Sequence, residues 1–251
     1  MAKGRANMVW LNLIRDKYCC TIIFLVYLGA KVQLFRQKQK SKPIICTFAA
    51  QKLSSMQYII AQWVSFIFHP IFIVSYMAIL LLWANPYIIK MYDVALIVFY
   101  TAFYPLVSLF LMKRLDFVSS YELPDRRERI VAAIPTLFFY SWCSLIMYKK
   151  YHPLLADISY AATASIVLSV VFLAVNNKIS WHAMGMGAFV AFLIILPHYA
   201  TIDVSLPFLL GLVIAGLVGT ARLYLQKHQL SEVYQGYLVG FVGQSLFFLW
   251  Q

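Results

Sequence analysis

The sequence predicts an all-α fold, a polytopic membrane helix bundle of six to seven transmembrane helices, from three observations. Of its 251 residues 63% are hydrophobic and 12% charged, against about 25% charged in ordinary soluble domains. Mean hydropathy is +0.77. Apolar stretches near the roughly 20 residues that a bilayer-crossing helix needs recur after Met56, parted by short polar connectors.

The stretches are 64–84, 94–112, 130–148, 154–175, 183–200, 205–223 and 233–250. Asn85-Pro86 ends the first, and the charged run Lys113–Arg129 separates the second from the third. Lys149-Lys150-Tyr151-His152-Pro153 follows the third, Asn176-Asn177-Lys178 the fourth, and His198 through Asp203 the fifth. His69-Pro70 and Pro105 interrupt apolar spans, as helix breaks at transport sites do. Proline kinks in packed spans are commoner, and His69 reads as a histidine of the bundle interior.

Cys19–Val32 is also apolar, but with about 14 residues and basic flanks it reads as an interfacial helix or signal-like segment. Residues 33–55 read as a solvated basic linker ending at Lys52. The chain thus divides into a basic N-terminal extension, 1–55, and a membrane-embedded domain, 56–251. The compositional break at Met56 suggests that translation naturally begins there, so that 1–55 is not native.

Charge narrows the partners. The formal net charge is +12, and ten of the 21 Lys and Arg residues lie in 1–55 against the single acid Asp16, a net +9. Only +3 is left for the other 196 residues. A basic head beside an apolar body suits anionic lipid headgroups, and with no soluble domain to enter a groove, nucleic acid is excluded as a partner. Cys19, Cys20, Cys46 and Cys143 have no metal-ligand spacing.

If the spans alternate in direction, the connectors 113–129, 176–182 and 222–232 lie on one face of the membrane. The other face receives Lys90, Lys149, Lys150, His152, His198 and Asp203, with no cluster of mixed acid, base and histidine. On the first face, His228 and Glu232 are i and i+4 where the last span begins, so a helix lets the carboxylate bond one imidazole nitrogen. Arg222 precedes His228 by six residues and aims a guanidinium at the same target, which must be anionic. Taken alone, the cluster also has a blander and less favoured reading, a snorkelling base with an incidental pair.

In Asn176–Gly187, Ser180 is a favoured N-cap and His182 stands at the rim of a helix start that offers amide donors to an anion. Gly185 and Gly187 permit close helix approach. A histidine at a span end is by itself more often an interfacial packing residue; its pairing with His228 makes it functional. In Tyr121–Ile130, Arg126, Arg127 and Arg129 stand beside Glu122, Asp125 and Glu128. Arg126 and Arg129 are i, i+3 and suit one phosphate clamp, although an ordinary solvated loop has the same composition.

The order and spacing of these clusters resemble the type 2 phosphatidic acid phosphatase superfamily of integral membrane lipid phosphatases. Its last motif, Ser-Arg, five residues, His, three residues, Asp, is similar to Ala221-Arg222, then His228, then Glu232. Its Pro-Ser-Gly-His motif resembles Ile179-Ser180-Trp181-His182. The first motif, Lys, six residues, Arg-Pro, departs most: no lysine stands seven before any of the three arginines. Arg129 matches the motif arginine best, and Arg126 substitutes for the lysine.

The resemblance covers roughly residues 60–250 and implies a metal-independent reaction without cofactor on a lipid phosphate. It makes His228 the nucleophile that becomes a phosphohistidine, Glu232 its orienting acid and His182 the proton donor to the leaving lipid alkoxide. Arg222, Arg129, Arg126 and the Ser180 region would hold the phosphoryl oxygens. The alternatives are a catalytically silent relative that binds lipid phosphate, or a small transporter. Eight Lys and Arg on the motif face against three opposite would place that face in the cytoplasm. The family's usual placement is the reverse, which in a bacterium means the non-cytoplasmic side of the inner membrane.

Overall fold

The computed structural model describes residues 47–249 apart from 122, 124, 151 and 176, and side chains between 56 and 246. The expected interfacial helix Cys19–Val32 and most of the basic linker lie outside the described residues; of the linker, 47–55 is helical. Every regular element described is helical, as the composition predicts: α1 (Thr47–Ile67), α2 (Pro70–Ala84), α3 (Met91–Arg114), α4 (Arg126–Lys149), α5 (Pro153–Ala174), α6 (Trp181–Ile195), α7 (Ser205–Tyr224) and α8 (Leu230–Leu249). A short 3₁₀ turn, Leu196–His198, extends α6.

Five of these are long and apolar enough to cross a membrane, six if the bent pair Met56–Ile67 and Pro70–Ala84 counts as one span. The chain is an integral, multi-pass membrane protein. α8 is also 20 residues long but carries Glu232, Gln235 and Gln244 and falls outside that set. The outward faces bear large apolar side chains such as Phe66, Trp83, Phe138, Trp142 and Leu206. Exposure of this kind is costly in water and neutral in lipid.

The two prolines flagged in the sequence behave differently. At His69-Pro70 the chain bends by 62°, because Pro70 cannot donate to the preceding turn and its ring clashes there. At Pro105 α3 runs on: a π turn, Phe99–Phe103, widens the helix one residue upstream of Tyr104 and absorbs the ring without a break. α4 begins at Arg126, four residues before the apolar stretch, so the arginine cluster forms its first turn instead of a loop.

Within the spans, hydroxyls are satisfied locally. Ser159, Thr163, Ser165 and Ser169 each donate to a carbonyl three or four residues back in α5, at 2.8 to 3.2 Å. The core lies between α2, α3, α4, α5 and α6 and includes Met77, Leu81, Ile97, Met147, Ile158 and Phe192.

The closest packing joins α8 to α6. A Cβ on Gly240 would overlap the carbonyl oxygen of Met184, and one on Gly236 would stand 2.5 Å from the carbonyl oxygen of Ser180. These glycines are i, i+4 and form the close-approach face of α8. The Ser180 amide then donates to the Glu232 carbonyl at 3.1 Å, fastening the start of α6 to the first turn of α8.

The far end of the bundle corrects one expectation. It does assemble a mixed cluster: buried Asp93, in the first turn of α3, bonds Lys150 Nζ at 2.5 Å and lies 3.2 Å from His152 Nε2. Asp93 escapes a connector-based count because it sits within the helix, while its partners come from the α4–α5 junction.

Gly240→Val will lower the unfolding midpoint of the detergent-solubilised protein, by the equivalent of at least about 1–3 kcal/mol. Thermal melts check this; an unchanged midpoint would contradict the α6–α8 packing.

Candidate functional site

A cavity of about 720 Å³ opens where the α1–α2 break meets the α3–α4, α5–α6 and α7–α8 connectors. Its mouth is lined by Arg129, Lys178, Arg222 and Lys227 together with His69, His182 and His228. Deeper, it runs between helices past Ile73, Val74, Met77, Ala133 and Ala188. The three polar segments that alternation of the spans assigns to one face therefore do share one chamber.

His228 follows α7 in a turn that includes Gln226 at φ 56°, and its side chain is only 5% exposed. Its Nδ1 lies 2.6 Å from Glu232 Oε2, an oxygen that also accepts from the Gln229 amide at 3.3 Å. The acceptor carboxylate fixes the neutral ring as the Nδ1–H tautomer and leaves Nε2 with a lone pair. Burial holds the imidazole below the ordinary histidine pKa; the Glu232 bond opposes this, and the Arg222 and Arg129 guanidiniums reinforce it. The ring is a neutral imidazole with a lone pair at Nε2, beside fixed positive charge.

His182 stands in the first turn of α6, which begins two residues before the apolar stretch. Its Nε2 lies 3.1 Å from the Ser65 carbonyl oxygen, so the neutral ring donates there and Nδ1 is its other nitrogen. This acceptor exists because of Pro70. In an unbroken helix the Ser65 carbonyl would accept from the His69 amide, which here bonds Phe66 at 3.3 Å. The break also supplies what the sequence reading assigned to packing alone: His69 lines the cavity, with its ring edge-on to His182 at 5.0 Å between centroids. A His-Pro pair inside an apolar run was the signal for it.

The arginines separate. Arg129 lines the cavity, and its Nε donates to the Leu123 carbonyl at 2.8 Å. Leu123 is held at φ 49°, a left-handed conformation that costs a branched residue energy and marks a constrained wall. Arg222, in the last turn of α7, lines the same wall within electrostatic reach of His69, His182 and His228. Arg126 is not brought to the cavity: its Nη2 donates to the Ala174 carbonyl at 2.8 Å, at the C-terminal end of α5. Orphan carbonyls and the negative end of the helix dipole hold it there.

Ser180 is fully buried, and its hydroxyl accepts from the Ala183 amide at 3.5 Å, capping α6 outside the cavity lining. Trp181 packs against Val118, Leu123 and Ala132 and forms cavity wall. Lys178 and Lys227 also line the mouth. Gly185, expected at a close helix approach, adjoins Ile73 and Pro70, and Gly187 lies beneath the Tyr237 backbone.

Chemically, the mouth gathers three imidazoles, two guanidiniums and two lysine side chains around a common space. Such a set has the charge and the donors that suit a tetrahedral oxyanion. Among the described residues no group of three His, Cys, Asp or Glu side chains is close enough to hold a metal ion. No family model, curated protein or solved structure matches the chain.

Because folding lowers the His228 pKa, the stability it contributes is complete above about 6.5 and is lost as pH falls toward the folded-state value. The unfolding midpoint in detergent will therefore drop between pH 7 and 5, and that of His228→Gln will drop less. Equal slopes for the two proteins would contradict a buried neutral ring.

Proposed function

We propose that the protein is a membrane phosphatase that hydrolyses a phosphomonoester or pyrophosphate of a lipid through a phosphohistidine intermediate. One observation carries this reading: His182, His228, Arg129 and Arg222 line a single chamber in which Glu232 ties down Nδ1 of His228. Both histidines and two of the arginines that resemble the lipid phosphatase motifs are so gathered, whereas Arg126 and Ser180 are not. An apolar floor below a cationic mouth suits a phosphate on a hydrocarbon anchor.

In the first step the Nε2 lone pair of His228 forms a bond to phosphorus and the bond from phosphorus to the lipid oxygen breaks. His182 Nδ1 takes up the proton that a monoanionic phosphoryl group brings on binding and passes it to the departing oxygen, while Nε2–H of the same ring stays on the Ser65 carbonyl. Arg129 and Arg222 stabilise charge on the phosphoryl oxygens as it spreads in the transition state. Water then attacks phosphorus, His182 takes its proton, and phosphate leaves with His228 restored. Glu232 holds the nucleophile's tautomer and stabilises the ring as it becomes cationic. In this reading the site faces the non-cytoplasmic side, as the resemblance implies, which in a bacterium is that side of the inner membrane.

The bend at Pro70 beside the cavity favours a second reading, a transporter that binds the same headgroup without cleaving it. Purified protein in detergent will release phosphate from a long-chain lipid phosphate in the presence of EDTA, and His228→Ala will lose at least about 1,000-fold of that rate. His182→Ala will lose about 100-fold or more on the lipid alkoxide and much less on p-nitrophenyl phosphate, whose leaving group needs no proton. Uptake of lipid phosphate into sealed vesicles without phosphate release would overturn the phosphatase in favour of the transporter.

A further inference from the structure

His69 does two things at once at the α1–α2 break. As the N-cap of α2 it accepts the Ile71 amide at Nδ1, 3.4 Å away, so the neutral ring carries its proton on Nε2. The ring also lines the cationic mouth of the cavity, edge-on to His182. Histidine is not among the favoured N-caps: Asn, Asp, Ser and Thr accept the same amide with shorter side chains and better geometry. What histidine adds is a second nitrogen, on the opposite edge of the ring from the cap. The residue is placed by Pro70, whose ring forces the bend and so turns the start of α2 toward the chamber. The positive end of that helix points the same way.

We infer that His69 is a third histidine of the binding site, capping α2 with Nδ1 while its Nε2–H donates to a non-bridging oxygen of the bound phosphoryl group. The inference deepens the lipid phosphatase reading and rests on it for the identity of the anion. A neutral imidazole suits the role: it adds a directed donor without further positive charge beside Arg222, and it does not compete with His182 as proton donor. Its contribution is greatest where charge accumulates on those oxygens, in the transition state.

The test separates cap from donor. His69→Ser keeps an acceptor for the Ile71 amide and removes the distal nitrogen; His69→Thr does so with a different side chain, should the serine variant not fold. Each is compared with wild type in detergent for its unfolding midpoint, for turnover of a long-chain lipid phosphate, and for inhibition and thermal stabilisation by orthovanadate, a free oxyanion without a lipid. The expected result is an unfolding midpoint close to wild type, kcat/KM lower by about 100-fold, and vanadate inhibition weaker by at least about tenfold. A folded variant with wild-type turnover and vanadate inhibition would show that His69 is only a cap, and would overturn the inference while leaving the phosphatase standing. Loss on the lipid substrate with unchanged vanadate binding would also overturn it, because the contact would then be to the lipid moiety. If wild type releases no phosphate but is stabilised by vanadate, and the variants are not, the phosphatase falls and the oxyanion contact stands. Wild type that neither turns over nor responds to vanadate would overturn both.

Discussion

The near contact of two backbones, α6 and α8, sets the geometry of everything at the cavity mouth. Glycine at 236 and 240 lets the helices touch main chain to main chain, and the Ser180 amide bonds the Glu232 carbonyl across the seam. In lipid, helix association gains nothing from excluding water, so close van der Waals contact and interhelical hydrogen bonds must hold the pair. The seam fixes the first turns of both helices against each other. His182 lies two residues beyond the amide of the fastening bond, and Glu232 supplies its carbonyl. A side chain at 240 would meet the Met184 carbonyl and push the two helices apart along this seam.

The second organising feature is a vacancy in hydrogen bonding. A helix break frees carbonyls from the helical ladder, and each must find another donor. At the Pro70 break the Ser65 carbonyl takes His182 Nε2, and the Ile67 carbonyl takes the Tyr76 hydroxyl at 2.8 Å. The first of these sets the tautomer of a site residue. The break is thus structurally satisfied and chemically directive together. The left-handed residues Leu123 and Gln226 belong to the same rim, where local strain is held by surrounding contacts.

How far the sequence discloses this depends on whether the relevant forces are local. The i, i+4 spacing of His228 and Glu232 is a property of one helix turn, and the structure realises it directly. That three connectors converge needs only the alternation of spans. Arg126 was legible as a clamp candidate by spacing from Arg129, yet the deciding interaction is with the carbonyl end of α5, remote in sequence. Ser180 was rightly placed at an N-cap, but a cap hydroxyl turned onto its own helix is not turned toward a ligand. Asp93 reads as one acid in an apolar helix, and only the α4–α5 junction shows what it neutralises. Helix starts differ from the apolar boundaries by two to four residues at α4 and α6, because charged and capping residues extend a helix past the hydrocarbon it must match.

The cavity has two chemistries stacked along the bundle, cationic at the mouth and apolar toward Met77 and Ala188. Under the proposed reaction, each half retains a different product: the freed alcohol stays with the greasy depth and can slip sideways into the bilayer, whereas inorganic phosphate drains into bulk water. The fragments partition into separate phases and rarely meet again. Reversal is then discouraged by compartment as well as by bond energy, and clearance of the anion, gripped by guanidiniums, becomes the natural pacemaker of the cycle.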